Sequence, residues 1–194
     1  MTEQTPALPN LADIMSRLQE KSLPPVHLWN PDFCGDIDMR IARDGTWFYM
    51  GTPIGRKRMV KLFSTVIRRD EDKYFLVTPV EKIGITVDDA PFAAVEATIF
   101  GEGQDQTITF RTNVDDEVIA GPDNPIRVAI DPATQEPSPY VMVRDGLEAL
   151  IARSVFYQLV DLGVEVVEDG DTVLGLWSSG QFFTIGKTEE PANA

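Results

Sequence analysis

The residues best placed to do chemistry lie in Gly51-Thr52-Pro53-Ile54-Gly55-Arg56-Lys57-Arg58, directly ahead of Met59, Val60, Leu62 and Phe63. A Thr-Pro pair before an apolar run reads as a helix start, with Thr52 as the cap and Pro53 in the first helical position. The unsatisfied N–H groups of such a start can cradle an anion, and Arg56 can add a charge-assisted hydrogen bond. Three cations in a first turn oppose the helix dipole. Either they are placed for an anion, or they form a solvated basic face paired with acids such as Asp36, Asp38 or Asp44. Such exposed pairs are common and contribute only about 0–1 kcal/mol. The glycine spacing superficially suggests a phosphate loop, but a Walker A motif needs four residues between its glycines and then Lys-Ser/Thr.

The other chemically able groups are sparse. Asp36 and Asp38 share a face if their segment is extended, a geometry suited to a divalent cation or to acid–base work. The plainer alternative is a pair of solvated acids at a strand entry. His27 is the only histidine, which excludes a histidine-based metal cage. No serine sits in Gly-x-Ser-x-Gly. Cys34 beside Gly35 is a nucleophile candidate or, more ordinarily, a packing residue. Arg153 lies in LEALIARSVFYQLV, which reads as a helix with apolar residues on most sides. A buried arginine there needs an anionic partner, either a structural carboxylate or a ligand group. Arg144 precedes Asp145-Gly146, where a strand is expected to hand over to that helix. Trp29, Trp47 and Tyr49 can line a pocket or stack on a base, or simply pack a core.

The totals narrow the partners. Across 194 residues, 17 Lys and Arg face 31 Asp and Glu, for a formal net charge of −14. That argues against nucleic acid as a bulk partner and against anionic membrane surfaces, both of which need a basic face. It leaves room for a small anion in a local basic pocket. A chain of this length buries about 70% of its unfolded surface, so it needs no metal or disulfide staple. The single cysteine, the lack of a basic-then-apolar leader and the lack of about 20 continuous apolar residues point to the cytoplasm.

The elements that must position these groups follow from periodicity and turn chemistry. A short helix is expected over residues 10–21, from the spacing of Leu11, Ile14, Met15 and Leu18. Residues 38–50 read as a hairpin turning at Asp44-Gly45. Residues 53–67 carry a helical stripe, and residues 74–78 a strand stopped by Pro79. From residue 81 the pattern becomes a β-meander. A strand at 140–143, a helix over 146–162 and strands at 164–167, 172–177 and 181–185 complete the chain. The expected domains are an N-terminal helix and linker (1–24), a smaller α+β domain (25–80) and a larger β-rich domain with one long helix (81–194). Arg40-Ile41-Ala42-Arg43-Asp44-Gly45 is echoed by Arg127-Val128-Ala129-Ile130-Asp131-Pro132. A tyrosine-bearing strand, an apolar helix and another strand follow each copy. This reads as a duplicated hairpin-plus-helix unit.

Several separated motifs then resemble one family. They are Trp29-Asn30-Pro31, Gly35-Asp36-Ile37-Asp38-Met39-Arg40-Ile41, Asp44-Gly45-Thr46-Trp47-Phe48-Tyr49, Tyr74-Phe75-Leu76-Val77-Thr78-Pro79-Val80-Glu81 and the run from Tyr140 through Arg153. Together they resemble the bacterial domain of unknown function 1285 family over roughly residues 25–167. The resemblance implies an α+β protein with a duplicated core, a C-terminal part loosely like a pleckstrin-homology roll, and a groove between halves that takes a nucleotide-like ligand in a signalling context. It implies no reaction.

The sequence thus leads to a cytoplasmic binding module for a small anionic, nucleotide-like molecule held between two halves. Thr52 and Arg56 would contact phosphate, Arg144 and Arg153 would approach from the second half, and Trp47 or Tyr49 would supply a wall. No catalytic residue, cofactor or bound metal is assigned. The alternatives are a metal-dependent phosphoester hydrolase using Asp36 and Asp38, and a protein-interaction module offering a strand edge.

Overall fold

The computed structural model describes residues 23–187. The chain divides into two compact units, with the boundary between Pro91 and Phe92. The helix expected over 10–21 lies outside the described residues. Among the described residues the architecture is mixed α+β, mostly sheet with two short α-helices, and the two halves are similar.

The first unit is built from β1 (Phe33–Ile41), β2 (Trp47–Tyr49), β3 (Thr52–Pro53), α1 (Lys57–Ser64), β4 (Ile67–Asp70), β5 (Lys73–Val77) and β6 (Lys82–Val87). Its sheet runs β3-β2-β1-β6-β5-β4. Two antiparallel meanders are therefore joined by the parallel pairing of β1 with β6. One face buries Met39, Ile41, Trp47, Leu76 and Ile83, and α1 adds Leu62 and Phe63. Trp47 stacks on Phe63 with ring centres 6.2 Å apart. The expected change of pattern at residue 81 is not a domain boundary, because β6 pairs with β1 and completes the first sheet.

The hairpin at Asp44-Gly45 forms as expected. The Asp44 carboxylate accepts from the Thr46 N–H, and Gly45 takes φ 84°. The helix expected over 53–67 is shorter. Met50 and Gly51 both adopt positive φ (49° and 73°), which marks a type I′ turn and folds Thr52-Pro53 back against Tyr49 and Phe48. Thr52 is thus a strand residue rather than a helix cap. Pro53, lacking an N–H, suits the edge strand it occupies.

The second unit contains β7 (Phe92–Phe100), β8 (Thr107–Thr112), β9 (Glu117–Ile119), β10 (Ile126–Ile130), β11 (Pro137–Arg144), β12 (Leu147–Ile151), α2 (Arg153–Asp161), β13 (Val164–Glu168), β14 (Asp171–Ser178) and β15 (Gln181–Lys187). One sheet runs β10-β11-β12-β7-β8-β9 and a second runs β13-β14-β15. The long helix expected over 146–162 is half strand. Asp145 and Gly146 make another positive-φ turn, and Leu147, Ala149 and Ile151 alternate inward as β12. Leu147, Leu150 and Ile151 also satisfy helical spacing, so periodicity alone misassigned them. Pairing on both sides, with β11 and β7, decided for strand.

The duplication is visible in element order. In the first unit three strands, a helix and three strands run in sequence, with the first strand pairing the last. In the second, β10-β11-β12, α2 and β13-β14-β15 repeat that order, and β10 lies beside β15. β7, β8 and β9 are the additional strands, added along β12.

Candidate functional site

The type I′ turn at Met50-Gly51 sets where α1 begins. After β3 the chain passes through Ile54, whose N–H donates to the Trp47 carbonyl, and Gly55 to Arg56. Arg56 is the N-cap in extended conformation, and no side chain caps the helix. No acidic residue stands in the first turn. Lys57 and Arg58 occupy that turn and Lys61 follows one turn on, all exposed beside Arg56. Among the described residues none of these four cations makes an ion pair. Their expected partners are used elsewhere or stand free: Asp44 closes its own turn, and the Thr46 N–H holds its carboxyl below the usual aspartate value.

Elsewhere most of the described cations are paired. Arg40 meets Asp88, Arg43 meets Asp89, Arg68 and Lys82 share Asp70, and Arg69 meets Asp72. In the second unit Arg111 meets Glu96 and Asp115, Arg127 meets Glu148, Arg144 meets Asp116 and Lys187 meets Asp171. Among the described residues, Arg56, Arg58 and Arg153 are the arginines without an ion pair. The start of α1 is thus a concentration of unneutralised positive charge on an acidic protein.

The residues expected to form a site fall in different places. Trp47, Tyr49, Thr52 and Arg56 belong to the first unit, and Arg144 and Arg153 to the second. Trp47 is 1% exposed and is spent in the core, so its ring offers no free face to a ligand. Tyr49 is half-buried and faces Thr52 in strand register, with Thr52 exposed. Arg144 donates to Asp116 at 2.7 Å and lies 4.9 Å from the Phe92 ring centre, which gives it a structural partner. Arg153 is exposed rather than buried, because α2 begins at Arg153 itself. The five-residue strand β12 separates the two arginines, roughly 17 Å of backbone.

The remaining chemical candidates resolve simply. Asp36 and Asp38 do share a face of β1, at its centre rather than its entry, and both are exposed. Among the described residues no group of three His, Cys, Asp or Glu is arranged to hold a metal. Cys34 is exposed and donates weakly to the Asp32 carbonyl, so it is not a core packing residue. Lys61 escaped the sequence reading, although its spacing from Lys57 and Arg58 is the i, i+4 and i, i+3 pattern that places side chains on one helix face. Among the described residues no helix is long and apolar enough to cross a membrane.

Comparison with known proteins gives a consistent lineage. The model of the "Domain of unknown function (DUF1285), N-terminal domain" matches residues 24–90, and that of the "Protein of unknown function (DUF1285), C-terminal domain" matches residues 91–185. The junction lies one residue from the boundary between the compact units. A crystal structure of a DUF1285 family protein from Silicibacter pomeroyi DSS-3 is similar, with 58% identity over 93% of this chain and 97% of that one and a TM-score of 0.82. One from Shewanella baltica OS155 shows 26% identity over 63% of this chain and 90% of that one, with a TM-score of 0.51. No curated protein matches the chain.

Proposed function

The chain belongs to the DUF1285 family, and from that premise we propose that it is a binding module for an anionic, nucleotide-like ligand, received at the basic start of α1. The observation that carries this reading is the unpaired state of Arg56, Lys57, Arg58 and Lys61 where most other described cations have a carboxylate. Arg56, Lys57 and Arg58, at the helix N-terminus, each cost a few tenths to about 1 kcal/mol, whereas Lys61 stands in the last turn and carries no such cost. An anionic ligand would turn that cost into binding energy, through guanidinium forks and the uncapped N–H groups of the first turn. Thr52 and Tyr49 lie on the strands that lead into this turn and form the adjoining part of the surface.

The reading includes a cytoplasmic setting, supported by the single cysteine, and a signalling role, which is what the family resemblance implies. It also takes the β-rich second half as a pleckstrin-homology-like roll. The test is a thermal-shift titration against a panel of nucleotides, with the Arg56→Glu/Arg58→Glu protein as control. A ligand at 100 times its Kd stabilises the native state by about 2.7 kcal/mol. A nucleotide that raises the melting temperature of the native sequence alone supports the site. Unchanged melting across millimolar nucleotides overturns it.

A further inference from the structure

We propose that β13 is a docking edge for an extended, cationic segment of a partner protein, which adds to the three-stranded sheet as a fourth strand. The proposal is independent of the α1 surface and concerns the other unit.

Edge strands present unpaired N–H and C=O groups, and proteins ordinarily shorten, interrupt or cover them. Among the described residues the sheet edges follow that practice with one exception. β3 has two residues, one of them Pro53. β4 is covered by the 3-10 turn at Val26–Leu28, with the Arg68 guanidinium donating to the carbonyls of Val26 and Trp29. β9 has three residues. β10 and β15 lie beside each other. β13 has five residues, an open edge opposite β14, and exposure at every position. Val167 is 71% exposed.

The chemistry of the edge selects its occupant. Val164 and Val166 lie on one face and Val167 on the other, so the strand offers apolar contact on both sides. Glu165 shares the face of Val167 and Glu168 that of Val164 and Val166, with Glu168 also accepting from the Thr184 hydroxyl, and Asp161 and Asp169 flank the strand. Among the described residues no Lys or Arg pairs with any of these four carboxylates. A second copy of this chain would bring the same acids and a net charge of −14 to the contact. An extended segment carrying both Lys or Arg and apolar residues on each of its faces would supply the ladder hydrogen bonds, contact the valines and neutralise the glutamates.

The test uses the full chain and two synthetic peptides. One, of seven residues, carries both lysine and valine on each face of its extended form, with valine at its centre. The other has the same charge with its central valine replaced by proline, which cannot complete a ladder. Fluorescence anisotropy is expected to show about tenfold weaker binding for the proline peptide, the equivalent of one or two lost ladder hydrogen bonds. Amide exchange of β13 is expected to slow on binding. The Glu165→Lys/Glu168→Lys protein, with melting behaviour checked first, is expected to lose the interaction. Equal affinity for both peptides would reduce the effect to charge attraction and overturn the proposal. Protection, already present in the free monomer, of the outward β13 amides that do not bond β14, or protection arising only with self-association, would assign the edge to a different occupant and overturn the proposal as well.

Discussion

Arg127 holds its guanidinium carbon 4.2 Å from the ring centre of Tyr140, its cross-strand partner between β10 and β11. Arg40 stands in the same relation to Phe48 between β1 and β2, at 4.7 Å. Each arginine also meets a carboxylate, Glu148 in one half and Asp88 in the other. The two arginines are the equivalent residues of the repeated Arg-Ile-Ala and Arg-Val-Ala segments. The duplication thus reaches to a side-chain arrangement, with the aromatic partner being Phe48 rather than the neighbouring Tyr49.

This equivalence predicts matched energetics. Arg40→Ala and Arg127→Ala should each lower stability by about 1 kcal/mol, since a half-exposed cation–π contact contributes about 0.5–1 kcal/mol and an exposed ion pair little more. Lysine at either position should recover only part, because it lacks the planar fork. Urea unfolding of the four variants measures this, and a loss confined to one half would break the equivalence.

Two buried glycines should differ in what they tolerate. A β-carbon on Gly84 would lie 1.9 Å from Asp36 Oδ1, the end of an exposed side chain that can turn away. On Gly175 it would lie 2.3 Å from the Phe182 ring and 2.7 Å from the Phe183 carbonyl, a backbone atom that cannot. Gly84→Ala should cost about 1 kcal/mol and Gly175→Ala about 2–3 kcal/mol. The Gly84→Ala cost should largely disappear in an Asp36→Ala background, as a double-mutant cycle would show.

Acid sensitivity should be centred on Asp70. The Arg68 guanidinium, joined by Lys82, holds its carboxyl below the ordinary value of 3.8. A depressed folded-state value stabilises the protein above the unfolded value, and that contribution is lost as pH falls through the folded one. Asp70→Asn should therefore lower the melting temperature at pH 6–7. As the pH falls through the depressed folded-state value, the variant and the native sequence should converge. A constant difference between them at every pH would assign the role of Asp70 to packing.

The start of α1 should show opposite effects on stability and binding. Lys57→Glu and Arg58→Glu place anions at a positive helix end and should each raise stability by a few tenths to about 1 kcal/mol. The same changes should abolish nucleotide-induced stabilisation. Variants that lose stability instead would show that the cations make structural contacts.

Much of the fold was legible because it depends on local chemistry. The Asp44-Gly45 turn and the short strands after residue 162 follow from turn residues and alternation. Clustering of Arg56, Lys57 and Arg58 was equally legible, since their adjacency is a property of the chain itself. Tertiary structure alone decided the rest. Whether Leu147–Ile151 became strand or helix depended on neighbours, β7 and β11, that lie far away in sequence. Whether Trp47 faced a ligand or a core depended on where α1 placed Phe63. Arg144 found Asp116, 28 residues distant, and so gained a structural partner, whereas among the described residues no comparable acid reached Arg56 or Arg58. Charge is written residue by residue, but its neutralisation depends on distance in space, and only the folded chain sets that.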